Sequence, residues 1–269
     1  MSLINIKSIE VYKDNQSYID NKKLPLLSFN QSTKILKGSK LGYTTGILYL
    51  KPADSVASKT LCAYSSPFGC KDICLQDSGR LHMDSSQLAM YRRTINYLQD
   101  PDDFKDRLRK EIIKNQTDKY AIRLNGTSDI DWSDLISSLP DIQFYDYTKC
   151  LNRIKNNKLS NYHLTFSASF AGDKAIKHSK EAIKLGLNTA IAFNTKQCKD
   201  EFKIPKHITV AGTKVKIVSF DDTDLRFLDP DGSVGSLTRK GSRLSERLSQ
   251  LGSKNFFADL INIKLLEEV

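Results

Sequence analysis

Residues 162–193, YHLTFSASFAGDKAIKHSKEAIKLGLNTAIAF, read as strand, helix and strand in one continuous stretch. The first run alternates apolar and polar residues, the pattern of a strand with two unlike faces. DKAIKHSKEAIK then places its apolar residues at helical spacing, and Gly186 follows as a natural stop. NTAIAFN is a short apolar run of the kind buried in a parallel sheet. A strand, a helix and a second strand imply parallel strands joined by a right-handed crossover, with functional groups gathered at the strands' carboxyl ends.

The same alternation extends in both directions. TGILYL (45–50), YAIRLNGTSD (120–129), IQFYDYTK (142–149) and KVKIVSFDD (214–222) are further short buried-type runs ending in polar residues, which makes about six strands. Between them lie WSDLISSL (132–139), CLNRIKNN (150–157) and a longer segment, 85–115. In that segment Leu88, Tyr91, Ile95 and Leu98, then Phe104, Leu108 and Ile112, recur at spacings of three and four. Pro101 divides it into two helices. The expected fold is α/β, a partial or complete parallel β/α (TIM-like) barrel over residues 45–241. Residues 1–44 are expected to form an irregular arm with at most one strand, and residues 242–269 two C-terminal helices.

Composition narrows the function classes. With 269 residues and 39% hydrophobic content, one large core is within reach and no disulfide scaffold is needed. Five cysteines, an odd number, suit thiols or metal ligands in a reducing compartment. No run has the length of a signal h-region or a membrane span, so no membrane association is expected. Lys plus Arg exceed Asp plus Glu by 41 to 31, a net charge of +10 that favours anionic ligands or phosphate-rich partners. The basic residues are scattered, as in KQCKDEFKIPK, which reads as a solvated surface before it reads as a nucleic-acid stripe.

The strongest chemical signal is LCAYSSPFGCKDICLQDSGR (61–80), in which Cys62, Cys70 and Cys74 have the spacing C-x7-C-x3-C on the loop after the first barrel-like strand. Ser65, Ser66, Pro67 and Gly69 let the backbone wrap closely, and Lys71 and Arg80 offset the charge of thiolates and sulfides. An iron–sulfur cluster fits that description. Zinc with His82 as a fourth ligand is the alternative, and three small buried thiols without metal the bland one. Cys150 and Cys198 have no cysteine neighbour at ligand spacing. Three ligands leave one iron of a cubane open to a substrate, water or cofactor.

Further polar groups stand at or near strand ends. Arg123, Asn125, Gly126, Thr127, Ser128 and Asp129 form a turn suited to a small-molecule or anionic ligand at the barrel mouth, although Ser128, Asp129 or Asp131 equally suits a helix cap near Trp132. Phe144, Asp146 and Thr148 share one strand face, and His163, Thr165 and Ser167 another. Asp146, Lys149 and His163 are the candidates for moving protons, against a plain buried hydrogen-bond network. The acidic run 221–231 lacks the EF-hand spacing, and its DPDG is a turn signal, so calcium is disfavoured. Asp222 or Asp224 is expected to pair with Arg226.

The cysteine loop, RLNGTSDI, FYDYTK, NYHLTFS and DDTDLRFLDPDG occur in one order and together resemble the successive motifs of the phage "gene product 88" family, from about Leu50 to Gly241. That layout is in turn similar to radical S-adenosylmethionine enzymes, where a cysteine loop after the first barrel strand holds a 4Fe-4S cluster. The resemblance implies the same cluster on Cys62, Cys70 and Cys74. It implies a turn at Asn125–Asp129 where those enzymes grip the cofactor, and a phage origin with synthesis in a host cytoplasm. Two features depart from the enzyme pattern: the usual C-x3-C-x2-C spacing is replaced, and NGTSD stands in place of a Gly-Gly-Glu-like turn. The competing expectation is a non-catalytic viral protein with a structural iron–sulfur or zinc site that binds nucleic acid or viral proteins.

Overall fold

The computed structural model describes residues 6–29, 33–57, 60–71, 73–194, 204–238, 257–258 and 262–267. It is a mixed α/β fold whose nine strands, among the described residues, pair mostly in parallel. The chain divides into two compact units, residues 1–63, 75–144 and 159–162 in the first and the remainder in the second.

The first unit begins with α1 (Ile6–Asp14) and α2 (Gln16–Ile19), followed by β1 (Leu27–Phe29), α3 (Thr33–Ser39) and β2 (Thr44–Leu48). The stretch expected to be an irregular arm thus holds three helices among its described residues, besides the one strand β1. Its short apolar bursts have a partner that no local pattern reveals: Tyr12 and Ile19 pack with Val56, Tyr91 and Ile95 in a small core of their own. The long helical segment is α4 (Asp84–Gln99) and α5 (Pro101–Lys114). The break is sharp because Asp100 caps α5 through the Asp103 amide (3.0 Å) and Pro101 occupies a first-turn position where its missing N–H costs nothing. Strand β3 (Tyr120–Arg123) pairs in parallel with β2, and helix α6 (Ser133–Ser137) leads to β4 (Gln143–Thr148), whose first residues pair in parallel with β3.

The second unit takes up the rest of β4, then α7 (Leu151–Asn156), β5 (Tyr162–Ser167) from His163 onward, α8 (Asp173–Lys184) and β6 (Thr189–Phe193). Strands β5 and β6 pair in parallel, as the strand–helix–strand reading requires. Gly186, at φ 67°, ends α8 in the left-handed region that glycine adopts without strain. Next comes a hairpin, β7 (His207–Val210) and β8 (Thr213–Ser219), joined by the two-residue turn Ala211-Gly212 with both φ values positive. Strand β9 (Val234–Thr238) lies between β6 and β8, parallel to both. The core of this unit gathers Phe68, Phe166, Phe170, Ile191, Phe193 and Val234. Of the expected C-terminal helices, the first falls outside the described residues, and Asn262–Leu266 is a short 3-10 helix.

Candidate functional site

The chain leaving β2 carries the first cysteine of the loop. Ala53 has φ 50°, a left-handed conformation uncommon for a residue with a side chain. It points its N–H at the Cys62 sulfur (3.3 Å), and its carbonyl accepts the Leu61 N–H (2.9 Å). The Cys62 thiol in turn donates to the Thr127 carbonyl (3.6 Å). Cys62 also forms an isolated parallel bridge with Asp129, whose N–H reaches the Leu61 carbonyl (2.9 Å). The exit of β2 and the turn after β3 are thus tied together around one sulfur.

That turn is closely packed. A Cβ on Gly126 would stand 2.8 Å from the Leu48 carbonyl oxygen and 2.6 Å from the Tyr49 ring, so only glycine fits. The Thr127 hydroxyl donates to the Leu50 carbonyl. Asn125 uses its amide inside the turn: its oxygen accepts from the Ser128 hydroxyl (2.9 Å), the Ile130 N–H (2.9 Å) and the Trp132 indole (3.3 Å), and its nitrogen donates to the Ile130 carbonyl (2.9 Å). Arg123 is half-buried at the carboxyl end of β3. The Asn125–Asp129 segment follows β3, and the Asn125 amide is directed into the turn itself. The side-chain cap expected near Trp132 is not made: the N-cap of α6 is Trp132 itself, and Asp131, one residue earlier, accepts from the Ser133 N–H at 2.9 Å.

Farther along the loop, the Ser65 carbonyl accepts the N–H groups of Cys70 and Lys71 (both 3.0 Å), and Gly69 turns with φ 67°. Cys74 precedes a 3-10 turn at Leu75–Asp77. Cys62, Cys70, Cys74 and Cys150 are half-buried and none is in a disulfide; Cys198 falls outside the described residues. His82 is exposed and bonds through Nδ1 to the Gly79 carbonyl. Among the described residues, no three His, Cys, Asp or Glu side chains form a group able to hold a metal ion.

The proton-moving candidates occupy different levels of the second unit. Asp146 is fully buried within β4. Lys149, just past its carboxyl end, donates to the hydroxyl (2.9 Å) and carbonyl (3.1 Å) of Ser167 at the end of β5. His163 sits at the opposite end of β5, about 13 Å from Ser167 at the usual rise per residue. Its ring faces the Asn188 amide (3.4 Å), which also accepts the Ser233 N–H (3.1 Å). Burial pushes the His163 imidazole below its ordinary pKa, opposed by Asp231 and assisted by Arg226. His163 therefore lies near the amino end of β5, away from Lys149 and Ser167.

Arg226 is 1% exposed, and its ion-pair partner is Asp229 (3.2 Å), not Asp222 or Asp224. Asp224 instead accepts from the Tyr145 hydroxyl (3.3 Å). Sequence reasoning also passed over Arg92 and Arg93, both buried in the middle of α4. The signal was present in their position, two cations inside a helix between Met90-Tyr91 and Thr94-Ile95.

Among the described residues, no helix is long and apolar enough to cross a membrane. No curated protein and no solved structure matches the chain. A family model described as Gene product 88 matches residues 25–253, which takes in β1, the cysteine loop, the Asn125 turn and the strands through β9, and the chain belongs to that family.

Proposed function

We propose that this chain is a phage iron–sulfur protein, made in a host cytoplasm, that binds a 4Fe-4S cluster through Cys62, Cys70 and Cys74. The parallel strands are read as a radical-S-adenosylmethionine-like partial barrel with the cysteine loop at its mouth. The observation that carries this reading is the strained backbone at Ala53, which directs an N–H at the Cys62 sulfur. Backbone donors to sulfur stabilise thiolate over thiol and tune cluster potentials. The described residues contain no ready-made group of three metal-binding side chains, so the donor set does not fit a preassembled centre. The proposal is therefore of a site completed by the metal, as in metal-coupled folding, and no reaction step is assigned to it.

The test is anaerobic reconstitution of the full chain with iron and sulfide, followed by metal analysis, absorption and EPR spectra. Four irons per chain with cubane spectra support the proposal. A change in the EPR signal on adding S-adenosylmethionine extends it to that cofactor. A colourless chain that retains zinc, or no metal, overturns it.

A second reading, a non-catalytic viral protein with a structural metal, is favoured by the Asn125 amide being directed into its own turn and by His163 lying at the amino end of its strand. A Cys62→Ser/Cys70→Ser/Cys74→Ser variant that loses its fold with its metal supports this reading. One that stays folded supports a working centre. DNA binding with a steep salt dependence identifies nucleic acid as the partner.

A further inference from the structure

Along the sequence the cations are scattered, but the crossovers of the second unit gather a set of them on one surface. Residues 150–186 hold seven Lys or Arg against two Asp or Glu, which is half of the net charge of +10 carried by the whole chain. Helices α7 and α8, with Lys158 just beyond α7, belong to the second unit. Both helices bury their apolar residues in one core, Leu151 from α7 and Ala175, Ile176, Ala182 and Ile183 from α8. They stand side by side, joined by an ion pair between Lys155 and Glu181.

What they leave outward is basic. Lys158, Lys174, Lys177 and Lys184 are exposed, and among the described residues none of their ammonium groups has an ion-pair partner. Lys174, Lys177 and Lys184 fall on one stripe of α8, about 15 Å long at the usual rise per residue. Glu181 shares that stripe, but the Lys155 ammonium is bonded to its carboxylate and holds it below the usual carboxylate range. The other acid, Asp173, stands at the first residue of the helix. Cations from both helices act on a single ring: burial pushes the His178 imidazole below its ordinary pKa, Glu181 opposes, and Lys174, Lys177 and Lys155 add to the fall. Helix α5 shows the contrast. It carries five Lys or Arg against four Asp or Glu, and Arg107 and Arg109 are paired with Asp103 and Asp106 on the same helix.

The chemistry of the surface selects among polyanions. A helix that lies on lipid sets apolar side chains into the bilayer beside its cations, whereas α8 buries its apolar face in the core. Protein interfaces are depleted in lysine, and the exposed, unpaired cations here are all lysines. Duplex DNA presents one charge per about 1.7 Å of its axis, so a stripe of about 15 Å meets several phosphates at once.

We infer that the outer face of α7 and α8 is a sequence-independent docking surface for the phosphate backbone of duplex DNA, contacted by Lys158, Lys174, Lys177 and Lys184. The inference rests on the nucleic-acid partner of the second reading and names its surface; it requires no metal on the cysteine loop.

The test is fluorescence anisotropy of a labelled duplex of mixed sequence, titrated with the full chain at a series of salt concentrations. Lys174→Gln/Lys177→Gln/Lys184→Gln is expected to weaken binding about tenfold or more and to reduce the slope of log affinity against log salt by about three, one phosphate contact per lysine. Glutamine keeps the helix propensity, and the removed groups are exposed, so the variant is expected to melt as the natural chain does. Lys13→Gln/Lys110→Gln/Lys114→Gln removes the same charge from exposed positions of the first unit and is expected to leave the slope unchanged. Duplex binding that both variants weaken equally, or that neither weakens, overturns this surface and leaves the nucleic-acid partner standing. No duplex binding, or binding to vesicles of anionic lipid in its place, overturns both.

Discussion

The guanidinium carbon of Arg226 lies 3.9 Å from the centroid of the Phe220 ring, and the same ring fills the space in which Gly235 lacks a side chain. A Cβ on Gly235 would stand 2.1 Å from ring atoms of Phe220, and Phe220 is fully buried. The ring has no room to retreat. Gly235→Ala is therefore expected to destabilise the chain by about 1–3 kcal/mol, the usual cost of overpacking a core. Urea denaturation checks it, and the penalty should shrink in a Phe220→Val background, since contacting residues are not additive.

Gly126 presents the same problem against backbone. The Leu48 carbonyl, 2.8 Å from a would-be Cβ, cannot move without disturbing β2. Gly126→Ala should cost about 1–3 kcal/mol and shift the turn that holds the Thr127 carbonyl against the Cys62 thiol. Faster modification of Cys62 by a thiol reagent in the folded variant is the expected signature. An unchanged rate would show that the turn does not shield the sulfur.

How much of this was legible in the sequence differs by element. Helix α8 and strands β5 and β6 announce themselves, because period, stop signal and buried run all agree locally. Helices α1 and α2 do not, since what makes them worthwhile is a distant surface: Tyr12 and Ile19 find Tyr91 and Ile95 on α4. Strand β9, VGSLT, is short, contains a glycine and lacks alternation, and is held by β6 and β8 on either side. The cysteine loop and the Asn125 turn stood out through residue types, but the direction of a side chain did not. Asn125 reads as a ligand group by position and is an internal turn group by geometry. Arg93 is singled out by no pattern and is buried.

Asn125 offers a clean spectroscopic test because Trp132, 1% exposed and the one tryptophan of the chain, donates to its side chain. Asn125→Ala leaves the Ser128 hydroxyl, the Ile130 N–H and the Trp132 indole without their acceptor. Stranding buried donors costs about 1–3 kcal/mol each when no water reaches them, so a loss of about 3 kcal/mol is expected overall. The emission of Trp132 should shift to the red as the turn opens. Unchanged stability would mean that water replaces the amide at no cost.

Acid sensitivity follows from His163. Burial holds its pKa below the ordinary value of 6.5, so above that value the ring is neutral in folded and unfolded chains and contributes no pH dependence. As the pH falls below it, the unfolded chain binds the proton first, and unfolding is favoured until the lower folded pKa is reached. Stability should thus fall between neutral pH and the folded value and then level. His178, whose ring lies 5.3 Å from that of Phe68, is also lowered by burial and acts with the same sign. Asp229 acts with the opposite sign, since burial raises its carboxyl pKa above the ordinary 3.8. Melting temperatures across the range just below neutrality, compared between the chain and its histidine variants, assign the histidines' share. His163→Gln should flatten part of the slope and His163→Gln/His178→Gln most of it, while a slope unchanged in both would place the acid sensitivity elsewhere in the chain.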